Sequence, residues 1–279
     1  GEIGFRILVG GGQGRTPRVA RKLAHFIPKR HILSYLEAVM RVYNAAGRRD
    51  NIYKARIKIL IDDMGVDAFA EAVNAEWGLV RDTTTDLPPA EYERIAAYFA
   101  PPDLPEVEPV PVALATAQRH DAGFARWLHQ NALPHRLPGY ANAVVSLKSA
   151  GRPPGDASAS EMEAIARLAD THGTGEVRIT YQQNVIIPHV RLDALPAFYR
   201  DARDAGLGGG ENGLVSDIIA CPGLDYCNLA NARSLPLADR IFRRFDDPER
   251  RAAIGRLQVN ISGCINACGH HHAADIGIL

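Results

Sequence analysis

The residues best suited to chemistry in this chain are its four cysteines, which form two closely spaced pairs. Cys221 and Cys227 are separated by five residues, Cys264 and Cys268 are separated by three, and no cysteine precedes them. Thiolates are soft ligands that bind zinc and iron–sulfur clusters. Four thiolates confined to one segment therefore predict a metal site in the C-terminal part of the chain.

Three other uses of these cysteines remain open on the spacing alone. Two disulfides need an oxidising compartment, and the first residues lack the pattern of a secretory signal. Structural zinc favours C-x₂₋₄-C in both pairs, so the five-residue gap fits it poorly. Four unconnected buried cysteines would need no particular spacing. We favour an iron–sulfur cluster, because Pro222, Gly223 and Gly263 permit tight turns that direct backbone N–H groups towards sulfur.

A second group of candidate residues is basic and comprises Arg48, Arg49, Lys54, Arg56 and Lys58. If residues 51–63 form a helix, Lys54 and Lys58 lie on one face of it. A solvated helix face is the simplest interpretation. Nucleic-acid binding finds no support, because no aromatic residues are interleaved and Lys+Arg and Asp+Glu balance at 32 each.

Three further segments combine polar or glycine residues in patterns that suit a binding site. Gly10 to Gly14 form a glycine-rich turn, but Arg15 stands where a dinucleotide-binding loop needs glycine, so a turn or a close approach to another cofactor is favoured. Gln183 and Asn184 separate two apolar segments, where a plain turn is the alternative. The consecutive histidines His270–His272 cannot all face one metal, and their role stays open.

The hydrophobic periodicity predicts an α+β protein in which helices and strands position these groups. Thr16 and Pro17 suggest the start of a helix over 17–26. Strands are expected at 141–147, 177–181 and 185–190, in the order of a ferredoxin-like unit. Further helices are expected at 31–46, 51–63, 66–77, 89–99, 158–172 and 195–205. No apolar run is long enough to cross a membrane.

The composition and the positions of proline suggest how the chain is organised. Five prolines between residues 100 and 112 favour a surface linker. We therefore expect a first domain over 1–99, a linker with a connecting helix over 100–135, a ferredoxin-like repeat over 136–207 and a cysteine-bearing domain over 208–279. The balanced charge and 46% hydrophobic content are typical of a globular cytoplasmic protein.

Three segments together resemble one known family. The cysteine pairs resemble the C-x₅-C and C-x₃-C signature of sulfite and nitrite reductase haemoproteins. The segment from Phe5 to Pro17 is similar to the glycine-rich loop of that family's first sirohaem domain, and Arg178 to Asn184 is similar to its R-x-T-x-x-Q-N segment. The resemblance implies parts of two sirohaem domains around a ferredoxin-like α+β repeat.

The same resemblance implies two cofactors, a [4Fe–4S] cluster and sirohaem. All four cysteines would bind the cluster, and Cys268 would also bridge to the sirohaem iron, so that single electrons can feed a multi-electron reduction. Sirohaem carries eight carboxylates that need cationic and polar partners. The side chains and backbone that the resemblance places near sirohaem are Gly12, Arg15, Arg49, Lys54, Arg56, Lys58, Arg178, Thr180, Gln183, Asn184 and Asn266.

The implied activity is the six-electron reduction of sulfite to sulfide, with nitrite to ammonia as the alternative. A flavoprotein or ferredoxin would donate the electrons, and neither nucleic acid nor a membrane is expected as a partner. The cations that bind substrate, and a first ferredoxin-like repeat, are expected before the glycine-rich loop, so this chain resembles an internal fragment without identified catalytic residues. A zinc-stabilised binding domain and a dinucleotide-binding oxidoreductase are the alternatives from other classes.

Overall fold

A computed structural model describes all residues from Gly1 to Leu279. The chain divides into two units, Gly1–Asp103 and Leu104–Leu279. Helices and sheets both contribute, which confirms the predicted α+β class. None of the helices has the length and apolar character that crossing a membrane requires.

The first unit contains a two-stranded antiparallel sheet and four α-helices. Its elements are β1 (Gly4–Val9), β2 (Arg21–Pro28), α1 (Ile32–Ala46), α2 (Ile57–Met64), α3 (Val66–Val80) and α4 (Pro89–Tyr98). The buried faces of β1, β2 and the first three helices form one core around Tyr35, Phe69 and Val73, each of which is fully buried. The predicted helices at 31–46, 66–77 and 89–99 are confirmed by α1, α3 and α4.

The predicted helix over 17–26 is wrong, because residues 21–28 form strand β2. Leu23 and Ile27 are its buried apolar residues, and their four-residue spacing mimics one turn of a helix. The pairing of β1 with β2 is irregular near Ile7, and such irregularities displace the two-residue periodicity of a strand. Thr16 and Pro17 therefore lie in the connection between two strands and do not start a helix.

The predicted helix over 51–63 is correct only in its second half. The side chain of Asn51 accepts a hydrogen bond from the Tyr53 N–H, and a separate 3₁₀ turn covers Ile52–Lys54. Arg56 has extended backbone angles, and α2 begins one residue later. Lys54 and Lys58 consequently do not share a helix face, because an Asn side chain that bonds its own backbone competes with the helix.

The first part of the second unit has the elements of a ferredoxin-like fold. Strands β3 (Ala132–Pro134), β4 (Tyr140–Val145), β5 (Arg178–Ile179) and β6 (Val185–Arg191) form an antiparallel sheet in the order β3-β4-β6-β5. The accompanying helices are α5 (Val112–His120), α6 (Ala122–Asn131), α7 (Ala159–His172) and α8 (Leu195–Asp204). Ser158 and Glu161 form a capping box at the start of α7, which confirms the predicted helix over 158–172.

The last part of the second unit contains a small parallel sheet. Strands β7 (Ile219–Ala220), β8 (Val259–Ile261) and β9 (Ile276–Ile278) lie in that order, and helices α9 (Leu235–Arg244) and α10 (Pro248–Ile254) connect β7 to β8. A separate apolar core joins this sheet to α9. Both cysteine pairs follow strands of this sheet. The finer domain boundaries at 99, 135 and 207 stay predictions.

Candidate metal centre

The two cysteine-bearing loops leave the same edge of the parallel sheet. Ala220 of β7 pairs with Ile261 of β8, so both strands end at one level. Cys221 follows β7 directly, and Cys264 comes three residues after the end of β8. Because the carboxyl ends of parallel strands meet at one edge, residues that are far apart in sequence become neighbours there.

Two glycines allow these loops to approach each other. A Cβ atom added at Gly263 would lie 2.9 Å from the Gly223 Cα atom and 2.8 Å from the Ala232 carbonyl oxygen. Gly223 has a φ of +60°, in the left-handed region that favours glycine. The Gly263 carbonyl also accepts the N–H groups of Asn231 (2.8 Å) and Ala232 (3.0 Å). The contact between the loops therefore depends on the missing side chains.

Backbone groups of both loops surround Cys221. The Gly263 N–H donates to the Cys221 Sγ atom at 3.0 Å, and the Cys221 N–H donates to the Ile261 carbonyl at 3.0 Å. The Ser234 hydroxyl donates to the Cys221 carbonyl oxygen. A backbone N–H directed at sulfur favours the thiolate, which is the form that binds metal.

The second loop is wound tightly around Cys268. Ala267 and His270 have φ values of +59° and +56°, which are unusual for residues other than glycine. The Ser262 hydroxyl accepts the Gly269 N–H at 3.1 Å and lies 2.8 Å from the His271 Nδ1 atom. Burial lowers the pKa of His271, which favours the neutral imidazole beside Ser262.

The four cysteine sulfurs are too widely spaced in this structure to bind one ion together. All four cysteines are free thiols. No three of their sulfur atoms lie within 4.8 Å of one another, whereas thiolates around one tetrahedral zinc lie about 3.8 Å apart. Each ligand of a [4Fe–4S] cluster binds a different iron, so its sulfurs are more widely spaced. The apolar side chains of Leu224, Tyr226, Leu229 and Ile265 are exposed beside these cysteines, as expected where a cofactor covers them.

The basic candidates of the first unit fall into two groups. Lys58 Nζ donates to the carbonyl oxygens of Gln13 (2.9 Å) and Thr16 (2.8 Å) and so fastens the glycine-rich loop. Arg49 donates to the Arg48 carbonyl (3.0 Å) and lies over the Tyr43 ring. Both side chains therefore have structural partners within the unit.

The other candidates in this unit remain available to a ligand. Gly12 exchanges two backbone hydrogen bonds with Arg18, which closes the loop, and a Cβ atom added at Gly12 would meet only the Lys58 Cδ atom, at 3.9 Å. Arg15, Lys54 and Arg56 are exposed, and their side chains make no hydrogen bond within the chain. These three cations and Gly12 are the candidates best placed to contact an anionic group.

In the second unit the R-x-T-x-x-Q-N segment comprises β5 and the turn that joins it to β6. Arg178 is exposed and pairs with Glu176 at 2.6 Å, and the Thr180 hydroxyl accepts the Asn184 N–H at 3.1 Å. Gln183 and Asn184 have other partners than expected. The Gln183 amide bonds the backbone of Ala220, and the buried Asn184 amide donates to Asp217 at 2.9 Å. A sirohaem contact for either amide would require breaking these bonds, and it stays a prediction.

Asn266 lies between the cysteines of the second pair, as the sequence requires. Its side chain is exposed and makes no hydrogen bond within the chain. It is therefore free to meet a ligand, and that contact also stays a prediction.

Some residues at this centre carried no usable sequence signal. Ser234 and Ser262 brace the two cysteine loops, yet lone serines are too common to single out. The buried ion pair Lys148–Asp217, with Nζ and Oδ1 3.4 Å apart, lies behind the Asn184 turn. Burial lowers the pKa of Lys148, and Asp217 opposes that shift. Lys148 and Asp217 are far apart in sequence, so their pairing could not be predicted without the fold.

One further group of potential metal ligands lies in the first unit. The side chains of His31, Asp82 and Asp86 have ligand atoms within 4.8 Å of one another. The His31 Nδ1 atom lies 2.9 Å from Asp86 Oδ2, and the Arg30 Nε–H donates to His31 Nε2 at 3.0 Å. Because a cation already occupies the approach to His31, this group is a hydrogen-bonded loop anchor.

Comparisons with known proteins agree with the fold. Residues 1–80 match the family described as nitrite and sulphite reductase 4Fe-4S domain, and residues 150–205 match the nitrite/sulfite reductase ferredoxin-like half domain. The four cysteines lie outside both matched segments. The support for them is therefore the geometry above and not the name of the first domain.

Individual relatives extend the match over the whole chain. The chloroplastic ferredoxin–nitrite reductase of Zea mays is 28% identical over 100% of this chain and 43% of its own length. The sulfite reductase [NADPH] hemoprotein beta-component of Staphylococcus haemolyticus is 25% identical over 99% of this chain and 44% of its own length. The NirA protein of Mycobacterium tuberculosis shares the fold, with a TM-score of 0.67, 24% identity and coverage of 98% of this chain and 44% of that one.

The structure defines a mixed α/β protein with a ferredoxin-like repeat and two cysteine-bearing loops that leave one edge of a parallel sheet. The chain belongs to the sulfite and nitrite reductase haemoprotein family. Membership of this family supports the predicted sirohaem and [4Fe–4S] cofactors. The chain spans less than half the length of the relatives that it matches.

Proposed function

We propose that this chain supplies the cluster-binding part of a sirohaem-dependent reductase that transfers six electrons to sulfite or nitrite. The observation that carries the proposal is the pair of loops after β7 and β8, which present four free thiols from one sheet edge. The N–H of Gly263 directed at the Cys221 sulfur adds a donor that suits a bound thiolate.

In this proposal Cys221, Cys227, Cys264 and Cys268 bind the cluster. Cys268 differs from the others because it is exposed, whereas the other three are half-buried. That exposure supports its assignment as the thiolate shared with the sirohaem iron. When bound, the two cofactors supply the stored electrons and the iron at which the substrate is reduced.

The first unit would contribute cations to the carboxylates of sirohaem. Arg15, Lys54 and Arg56 have exposed, unpaired guanidinium or ammonium groups that suit such contacts. Arg49, Lys58, Arg178, Thr180 and Asn266 remain in the proposed set. For Lys58 the structure favours an indirect contribution, because its Nζ already holds the loop that contains Gly12. We assign no residue of this chain a contact with the substrate oxygens.

Sulfite is the substrate that the sequence resemblance favours, and nitrite is the second candidate. A specific observation supports nitrite, since relatives at 28% identity are ferredoxin–nitrite reductases, and the sulfite reductases match at 25–26%. The electron donor follows the same division. A ferredoxin is favoured by the names of most of these relatives, and a flavoprotein by the NADPH-dependent one. A cytoplasmic location stays a prediction.

The cofactor assignment is tested on anaerobically purified protein. We expect visible absorption from sirohaem, about five irons per chain (four in the cluster and one in sirohaem), about four acid-labile sulfides, and an electron paramagnetic resonance signal from the reduced cluster. Stoichiometric zinc without sulfide would overturn the proposal in favour of a zinc-stabilised binding domain. Cys227→Ser, which removes one proposed ligand, is expected to abolish the cluster signal.

The substrate is tested by steady-state turnover of the parent protein with a reduced dye. Sulfite and nitrite are compared by kcat/KM under the same conditions, with each product measured directly. A higher kcat/KM for sulfite supports the first candidate, and a higher kcat/KM for nitrite selects the second. Failure to reduce either anion by a protein that carries both cofactors would refute the proposed reaction.

A further inference from the structure

The short strand β7 has an unusual neighbour on the side away from β8. The Gln183 side chain donates from Nε2 to the Ala220 carbonyl at 3.0 Å and accepts the Ala220 N–H at Oε1, also at 3.0 Å. These two bonds are the ones that an adjacent strand would make with Ala220. One carboxamide from the ferredoxin-like part therefore closes the open edge of the parallel sheet.

The backbone around Gln183 holds its side chain in that position. Gln183 has a φ of +59°, where glycine or asparagine is the ordinary residue of a turn. Its N–H donates to the Thr180 carbonyl at 3.1 Å. The next residue, Asn184, is buried and bonds both the Leu147 N–H (3.1 Å) and Asp217 (2.9 Å). A glutamine kept in a strained conformation by its surroundings indicates that its side chain has a use there.

The residue that Gln183 fixes is the one directly before the first cysteine. Cys221 continues the strand by donating its N–H to Ile261, and its sulfur accepts the Gly263 N–H at 3.0 Å. If Ala220 shifts, the Cys221 sulfur moves relative to that N–H. Hydrogen bonds to the sulfurs of a cluster stabilise its reduced, more negative state and so raise its reduction potential.

We propose that Gln183 is a positioning residue for the cluster. Its side chain fixes Ala220, so that the Cys221 thiolate keeps its hydrogen bond from the Gly263 N–H. The inference rests on the proposed function, because it assumes that Cys221 binds a cluster. It gives Gln183 a different task from the sirohaem contact that the sequence resemblance implies. Gln183 acts through Ala220 and touches no reacting atom.

The test compares two substitutions that each exchange an amide nitrogen for an oxygen. Gln183→Glu keeps the acceptor for the Ala220 N–H and replaces the donor to the Ala220 carbonyl. Asn142→Asp is the matched control, since Asn142 is also half-buried and its Nδ2 donates to one backbone carbonyl, that of Pro134, at 2.8 Å. The full protein is purified anaerobically in each form, and Gln183→Leu is added as a variant that loses both bonds.

Three quantities are measured on each protein. They are the rate at which a chelator of ferrous iron removes iron, the midpoint potential of the cluster together with its electron paramagnetic resonance spectrum, and the thermal midpoint of the cluster-free protein. For Gln183→Glu we expect iron loss to be faster by about 10–100-fold, the midpoint potential to be lower and the spectrum to be altered. For Asn142→Asp we expect iron loss, potential and spectrum to match those of the wild type, whatever its thermal midpoint.

The outcomes separate this inference from the proposed function. A wild-type protein without iron and sulfide overturns both. A wild-type protein with a cluster, together with Gln183 variants that keep its potential, spectrum and rate of iron loss, overturns the positioning role alone. If Gln183→Glu and Asn142→Asp change iron loss, potential and spectrum equally, in proportion to their thermal midpoints, Gln183 contributes only to general stability. That result also overturns the positioning role. If Gln183→Leu does not fold, the isosteric Gln183→Glu variant still decides.

Discussion

Replacement of Gly263 by alanine is the most direct test of how the two cysteine loops are held together. The new methyl group would lie 2.8 Å from the Ala232 carbonyl oxygen and 2.9 Å from the Gly223 Cα atom. Both obstacles are backbone atoms, which cannot rotate away as a flexible side chain could. The two loops must therefore move apart, and the Gly263 N–H moves with them from the Cys221 sulfur.

The expected cost follows from these contacts. Overpacking a well-packed site by one methyl group costs about 1–3 kcal/mol. In a unit of this size a loss of 1 kcal/mol lowers the melting temperature by about 2–4 °C, so the cluster-free variant should melt about 2–12 °C lower. The cluster should also be lost faster, because the spacing between the two ligand pairs changes.

Gly78 provides a control for the same substitution. It lies within α3, its φ is not positive, and an added Cβ would meet no atom within 4 Å. Gly78→Ala should raise the free energy of unfolding by about 0.5–1 kcal/mol, because alanine is the better helix former. Thermal unfolding followed by circular dichroism and iron content measured after purification check both variants. A Gly263→Ala protein with the stability and iron content of the wild type would refute this account of the loop contact.

Two further predictions concern the cofactor ligands and the pH dependence of stability. Cys268→Ser should lose both the cluster and sirohaem. Lys58→Ala removes the ammonium group that holds the glycine-rich loop, so it should weaken sirohaem retention and leave cluster iron and sulfide near wild-type levels. Equal loss of cluster iron and sulfide in both variants would contradict these roles. The pKa of Glu161 is lowered from 4.5 to about 2, chiefly by a hydrogen bond from Arg152 and next by one from the Ser158 N–H. The stabilisation that this shift represents is present above pH 4.5 and is lost as the pH falls towards 2, so urea titrations between about pH 5 and about pH 3 should show a smaller loss of stability for Glu161→Gln than for the wild type. An equal loss in both would rule out the contribution of Glu161.

The elements that the sequence predicted correctly are those whose signals are local. The helix over 158–172 combines a capping box with an apolar face, and both features need only neighbouring residues. The helix over 17–26 was wrong because the spacing of Leu23 and Ile27 suits a helix and an irregular strand equally. The pairing with β1 decides between them, and that pairing is not encoded within the segment.

The sequence by itself determined that four thiols are concentrated in one segment, and with the resemblance it determined which cofactors they are expected to bind. The tertiary structure decided how those thiols are presented. Cys221 and Gly263 are distant in sequence, and only the parallel pairing of β7 with β8 brings the sulfur to the N–H. It also decided that the Gln183 amide bonds Ala220, because a side chain's partner depends on which backbone groups a sheet leaves unpaired once the chain has folded.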